Sequence, residues 1–227
     1  MNYSKKDFAY LFDNTLLKPS ATEEDFKKIC LESAKYGFHT VAVNTGVVRL
    51  CSGLLSGSGV GVDAAVGFPL GISTIASKVQ ETIGSIADGA AEVDYVLNIG
   101  KLKEGRLDYI REEMHAITQI CRERGIISKV IFENCYLTDD EKRAACEIAI
   151  KERPDFIKTS TGFGPGAATV EDVRLMKSMV GDAIKVKAAG GIRTLNDCLA
   201  MLEAGASRIG CSAAAAISEE YFALIEK

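Results

Sequence analysis

Two lysines and an aspartate stand in or at the end of apolar runs, where a charge is costly to bury without a partner or a task. Lys158 closes the run Asp155-Phe156-Ile157 and opens the loop Thr159-Ser160-Thr161-Gly162-Phe163-Gly164. Lys187 lies in Ile184-Lys185-Val186-Lys187-Ala188-Ala189-Gly190-Gly191, and Asp94 in Glu92-Val93-Asp94-Tyr95-Val96-Leu97-Asn98. Two ammonium groups side by side in a partly desolvated site disfavour the doubly charged state, so one amine is driven toward its neutral, nucleophilic form. Such an amine attacks a carbonyl carbon and gives a carbinolamine and then a Schiff base. Asp94 is placed to accept and return protons beside them, or simply to neutralise them. The plain alternative for Lys158 is a strand-end lysine whose stem snorkels to solvent. Lys185 shares the alternation face of Lys187 and competes with it for the role. Glu92 is on the face of Asp94 but deeper, which suits a structural carboxylate; Asp13, Asn44 and Glu133 have weaker claims on the same site.

Small residues cluster after these runs. Thr161-Gly162, Ala189-Gly190-Gly191 and Gly210-Cys211-Ser212 are three loops in which backbone N–H groups can approach an anion closely, and Ser212 precedes a short helix whose N-terminus would face that anion. A single glycine pair is more often only a turn. Their coincidence at neighbouring strand ends points to a phosphorylated substrate.

The elements that would position these groups alternate along the chain. Strands are expected over residues 11–17 (irregular), 39–44, 59–66, 92–99, 127–133, 156–158, 183–188 and 207–210. Between them run helices over 22–36, 47–54, 73–87, 102–124, 138–151, 169–179 and 194–203, followed by an alanine-rich terminal segment. A short N-terminal helix over 4–10 precedes the first strand. Thr22, Thr138 and Thr194 are hydroxyl caps, and Thr138 with Glu141 forms a capping box. Eight strand-then-helix units in 227 residues, with no linker or break in composition, fit a single-domain (β/α)8 TIM barrel of the α/β class. A doubly wound sheet fits less well, because there is neither a dinucleotide fingerprint after the first strand nor a GxxxxGK[ST] loop. In a barrel the strand C-termini build the site, which is where Lys158, Lys187 and the glycine loops fall.

Composition narrows the function classes. A formal charge of −4 without a block of Lys or Arg argues against a nucleic-acid partner. No segment approaches a membrane span, and residues 1–7 lack the apolar core of a signal peptide. Seven scattered cysteines, none spaced as CxxC, suit a reduced, cytoplasmic protein with most thiols acting as small buried hydrophobes. With only His39 and His115 besides, a Cys/His metal site has little to draw on, although a cysteine nucleophile paired with either histidine stays open.

Six segments carry a resemblance: residues 13–19 (DNTLLKP), 66–71 (VGFPLG), 92–100 (EVDYVLNIG), 156–164 (FIKTSTGFG), 185–194 (KVKAAGGIRT) and 208–212 (RIGCS). In order and over nearly the whole chain, they resemble the deoxyribose-phosphate aldolase family. The resemblance implies a class I aldolase that needs no metal or cofactor and cleaves 2-deoxy-D-ribose 5-phosphate reversibly to D-glyceraldehyde 3-phosphate and acetaldehyde. It implies Lys158 as the Schiff-base lysine, Lys187 as the lysine that perturbs it and Asp94 as the aspartate of the proton relay, and it implies a homodimer. Gly162, Gly190, Gly191, Gly210 and Ser212 fall where the family binds phosphate.

The chain departs from the family pattern where VCVNP becomes Val41-Ala42-Val43-Asn44-Thr45, where Ala213 to Ala216 replace a second hydroxyl residue after Ser212, and where residues 221–227 lack a tyrosine-terminated tail. These changes bear on rate and specificity more than on reaction type. Another Schiff-base phosphosugar aldolase, or a phosphosugar-binding barrel without catalysis, would share most of these features.

Overall fold

The computed structural model describes residues 3–226; Met1, Asn2 and Lys227, which the terminal readings above include, lie outside the described residues. Eight parallel strands close on themselves in sequence order: β1 (Phe12–Leu16), β2 (Thr40–Asn44), β3 (Gly61–Val66), β4 (Glu92–Val96), β5 (Ile127–Ile131), β6 (Phe156–Lys158), β7 (Lys185–Ala189) and β8 (Arg208–Cys211), with β8 paired to β1. Helices follow each strand, and the (β/α)8 barrel expected from the alternation is the architecture found.

The helices are α1 (Lys5–Ala9), α2 (Glu23–Tyr36), α3 (Val48–Leu54), α4 (Ile75–Ala87), α5 (Ile99–Lys103), α6 (Leu107–Glu123), α7 (Asp139–Glu152), α8 (Val170–Val180), α9 (Leu195–Glu203) and α10 (Ala214–Ile225). Their starts follow from local chemistry. The Thr22, Thr138 and Thr194 side chains each accept the N3 backbone N–H, and the N3 carboxylates of Asp25, Glu141 and Asp197 accept the cap N–H in return. Each such cap contributes roughly 0.5–2 kcal/mol. At the other end of α2, Gly37 takes φ +68, the left-handed conformation that lets its N–H close on Ser33.

Several boundaries differ from expectation, two of them for a clear local reason. The fourth strand stops at Val96 instead of residue 99, because the Asn98 side chain accepts the Lys101 N–H and starts α5. The single helix expected over 102–124 is two, divided at Gly105, whose φ of +70 breaks the helical path. A 3-10 turn, Thr45–Val47, precedes α3, and the segment after Ser212 forms a helix of 12 residues where a short one was expected. The first strand is regular.

Strand alternation divides the barrel into two interiors. Val41, Val62, Val93, Val130, Ile157 and Val186 are buried in the apolar layer beneath the helices. The intervening residues face the barrel axis, and several are charged and buried: Asp13, Asp63, Asp94, Lys129, Lys158 and Lys187. At the N-terminal end α1 packs on α10, with the Phe8 ring stacked 3.8 Å from Tyr221 and edge-on to Phe12.

Candidate active site

The register puts Lys158 of β6 directly beside Lys187 of β7, and Ile131 of β5 on its other side. Asp94 reaches them from β4, which pairs with β5 through Asp94 and Lys129. The three candidate residues converge on one atom. Asp94 Oδ2 accepts from Lys158 Nζ at 2.5 Å and from Lys187 Nζ at 2.7 Å, while Asp94 Oδ1 lies 2.7 Å from Lys129 Nζ.

The two lysines are in different electrostatic situations. Lys187 is fully buried and surrounded by carboxylates, with Asp13 Oδ2 at 2.5 Å, Asp63 Oδ2 at 2.9 Å and Asp94 Oδ2 at 2.7 Å. Burial alone would lower its pKa, but Asp13, Asp63 and Asp94 outweigh burial and raise it, so Lys187 stays an ammonium. Lys158 has a single carboxylate partner, which it shares. Burial pulls the Lys158 amine below the usual lysine range and Lys187 adds to that pull, against the opposing attraction of Asp94. Of the two amines, Lys158 is the one drawn toward its neutral form. Asp94, surrounded by Lys129, Lys158 and Lys187, is held well below the usual carboxylate range although burial acts the other way.

Lys185 does not compete. It lies at the exposed start of β7, its ammonium 5.5 Å from the centre of the Phe156 ring. Glu92 is the structural carboxylate its depth suggested, accepting from Lys129 at 2.6 Å and from Arg208 at 3.3 Å, with His39 Nε2 at 2.8 Å. Asp13 sits in the same cluster with Lys187, Arg208 and Thr40. Glu133 takes φ +56 after β5 and accepts the Thr161 N–H and hydroxyl, which fastens the loop after Lys158. Asn44 donates to the Leu17 carbonyl at 3.3 Å instead of facing the lysines.

A cleft of about 870 Å³ joins the amine to the glycine loops. Lys158 lines one part of it, and Gly162, Gly190, Gly191, Gly210 and Ser212 line another, with Lys18, Lys28 and Arg193 toward the outside. Three of the glycines are required by geometry, Gly162 by its φ of +84. Gly190 and Gly191 have φ of +90 and +77, and a Cβ on Gly191 would lie 2.4 Å from that of Ala167. Gly210 has a different reason to be glycine, since its Cβ would press 3.1 Å from the Lys187 Cε.

A buried lysine pair on one carboxylate thus lies beside a cleft lined by the glycine loops. Residues 9–217 match the family described as DeoC/LacD family aldolase. The chain belongs to this family. It is 55% identical over 213 residues to the deoxyribose-phosphate aldolase of Lactobacillus acidophilus, covering 94% of this chain and 90% of that one. Among solved structures, "QR15, an Aldolase" superposes with a TM-score of 0.90 at 41% identity, covering 97% of this chain and 99% of that one. The deoxyribose phosphate aldolase of Aeropyrum pernix, described as a unique tetrameric structure, gives 0.91 at 30% identity over 97% of this chain and 93% of that one.

The interior of this aldolase also holds charges that the sequence reading passed over. Lys129, Asp63 and Arg208 complete the network around Asp94 and Lys187. The signal that singled out Asp94, a charge inside an apolar strand, is equally present at Asp63 in Gly61–Val66 and at Lys129 in Ile127–Ile131. A second buried pair, Lys78 with Glu113 at 2.6 Å, joins α4 to α6. Lys78 also donates to the Gly71 and Val96 carbonyls, and Glu113 accepts the Asn98 N–H, so the pair anchors the loops after β3 and β4.

The seven cysteines are free, and all but Cys135 are buried. His39 is occupied by Glu92 and Arg208, and His115 pairs with Glu152 at the surface, which leaves no cysteine–histidine nucleophile. Among the described residues no helix is long and apolar enough to cross a membrane.

Proposed function

We infer that this aldolase cleaves 2-deoxy-D-ribose 5-phosphate reversibly to D-glyceraldehyde 3-phosphate and acetaldehyde, with Lys158 as the Schiff-base nucleophile. The observation that carries the assignment of Lys158 is the unequal neutralisation of the lysine pair. Lys187 holds three carboxylates and stays charged, whereas Lys158 shares one and opens on the cleft.

The neutral Lys158 amine attacks the C1 aldehyde of the open-chain sugar, and loss of water leaves a protonated imine. That cation withdraws the C2–C3 bonding electrons as the C3 hydroxyl loses its proton, and D-glyceraldehyde 3-phosphate departs. Asp94, Lys187 and a water serve as acceptor and donor for this proton and for the later protonation of the enamine at C2. Hydrolysis then releases acetaldehyde and restores the amine. The iminium supplies the charge stabilisation that a metal-dependent aldolase takes from its ion.

The substrate phosphate lies against Gly162, Gly190, Gly191, Gly210 and Ser212. The supporting features are their common cleft, the N-terminus of the α10 helix just after Ser212, and the cations Lys18, Lys28 and Arg193 on the same rim. A cytoplasmic location is supported by the seven unpaired thiols. A homodimer is the assembly the family resemblance implies; light scattering distinguishes it from the tetrameric arrangement described for the Aeropyrum pernix relative.

Borohydride reduction in the presence of deoxyribose 5-phosphate or acetaldehyde tests the assignment. The expected result is a reduced adduct mapped to Lys158. Binding without any adduct would refute the catalytic reading, and an adduct on Lys187 would reverse the roles of the two lysines.

A further inference from the structure

The barrel axis carries four carboxylates, Asp13, Asp63, Glu92 and Asp94, and four basic groups, Lys129, Lys158, Lys187 and Arg208. Charges balance only if Lys158 is an ammonium, yet the amine must be neutral to attack. Neutral Lys158 leaves one carboxylate in excess inside a dry interior. Of the four, Asp63 has the weakest hold on its charge. Its Oδ2 receives Lys187 at 2.9 Å and Lys129 at 3.0 Å, but its Oδ1 is buried without a partner among the described residues. A bare anionic oxygen costs more to bury than a neutral hydroxyl. The charged groups around it divide: Asp13 on β1 and Glu92 and Asp94 on β4 repel its negative charge and favour a proton there, whereas Lys129 on β5 and Lys187 on β7 pair with its Oδ2 and oppose one, although both are shared with other carboxylates, as Lys158 on β6 and Arg208 on β8 are bound to Asp94 and to Asp13 and Glu92. The Asp63 carboxyl is accordingly pushed up to about 6, by burial first and then by Asp94, against Lys129 and Lys187.

We propose that Asp63 is the proton store of the Schiff-base cycle: it holds the proton that Lys158 gives up and returns it when the imine forms. A continuous chain of hydrogen bonds supplies the route. Lys158 donates to Asp94 Oδ2, the same oxygen accepts from Lys187, and Lys187 donates to Asp63 Oδ2. In the forward sense the Lys158 N–H bond breaks, a proton shifts along Asp94 and Lys187, and an Asp63 O–H bond forms. When the neutral amine condenses with an aldehyde, the carbinolamine loses its hydroxyl as water; the proton that water requires comes back from Asp63, and the iminium charge is balanced by the restored carboxylate. Asp63 acts through Lys187 and Asp94 and touches no substrate atom, so it is a positioning residue for the charge, not a catalytic residue. The register places it opposite Ala42, a small side chain that leaves the carboxyl room beside β2.

The inference rests on the Lys158 reading, and its test separates the two. Acetaldehyde, which has no ionisable group, is mixed with the whole enzyme in weakly buffered solution near pH 5.5, where a carboxyl titrating at about 6 is mostly protonated, and proton uptake is followed with an indicator dye while imine formation is scored by borohydride adduct at Lys158. The wild type should take up close to no proton per adduct. Asp63→Asn, which mimics the protonated carboxyl, should take up about one, because the neutral amine must then draw the proton from solvent. A second measurement on the wild type alone guards against a variant that fails to fold: difference infrared spectroscopy should show a protonated-carboxyl C=O band lost on imine formation. Equal proton uptake by wild type and variant, or no loss of that band, overturns the role of Asp63. Failure to form any adduct at Lys158 instead overturns the Schiff-base reading.

Discussion

Replacing Asp94 with Asn separates the two tasks its carboxylate performs. The substitution keeps an acceptor for Lys158 and Lys187 but removes the charge on which three ammonium groups converge. Lys129 retains Glu92 at 2.6 Å and Asp63 at 3.0 Å, and Lys187 retains Asp13 at 2.5 Å and Asp63 at 2.9 Å, so each keeps two carboxylates. The amide NH2 must face one of the ammonium groups, which costs about 1.5–3 kcal/mol of stability, a loss the fold survives. Lys158 loses the one carboxylate it pairs with among the described residues and becomes easier to deprotonate. Imine formation should therefore persist in Asp94→Asn and extend to lower pH than in the wild type. Turnover needs a group that takes and returns protons, and losing one lowers rates by about 10²–10⁴, or roughly 3–5 kcal/mol of barrier. The assay pairs borohydride trapping at Lys158 with steady-state cleavage of deoxyribose 5-phosphate. If trapping falls in step with turnover, Asp94 only holds the lysine in place and the division of roles argued here is wrong.

Lys187→Met removes the cation that lowers the Lys158 pKa, so the acid limb of trapping against pH should move to higher pH; the buried carboxylates left behind should cost about 3–5 kcal/mol of stability as well. An unmoved limb in a folded variant would show that Lys187 does not tune Lys158. Gly191→Ala places a Cβ 2.4 Å from Ala167 Cβ at φ +77, and kcat/KM for the phosphorylated sugar should drop roughly 10–100-fold, with a smaller loss on unphosphorylated deoxyribose. Equal losses on both substrates would argue against a phosphate site there. Lys78→Met strands Glu113 and two backbone carbonyls far from the chemistry. At about 3–5 kcal/mol for a broken buried pair, and about 2–4 °C per kcal/mol in a chain of this size, calorimetry should show a Tm lower by roughly 6–20 °C; a shift below about 2 °C would refute the anchoring role.

Much of this protein is determined locally. Alternating apolar strands and capped helices are set by neighbours a few residues apart, so the eight units, the three threonine caps and the capping box of Thr138 with Glu141 follow from residue order alone. Lys158, Lys187 and Asp94 stand out for the same reason, as charges within apolar strands. Boundaries at Asn98 and Gly105 are also local, but they depend on a side-chain cap and a positive φ that apolar periodicity does not register.

Barrel closure decides what the amines are. Lys158 and Asp94 are 64 residues apart, Lys187 and Asp63 are 124 apart, and Arg208 and Asp13 are 195 apart. A pKa is set by every charge and every desolvated surface within a few ångströms, and no spacing along the chain predicts that set. Two lysines at neighbouring strand ends are visible in the sequence. That three carboxylates surround Lys187, that Lys158 shares a single one, and that Asp63 Oδ1 is without a partner among the described residues are arrangements that exist only once eight strands have brought these side chains into one closed interior.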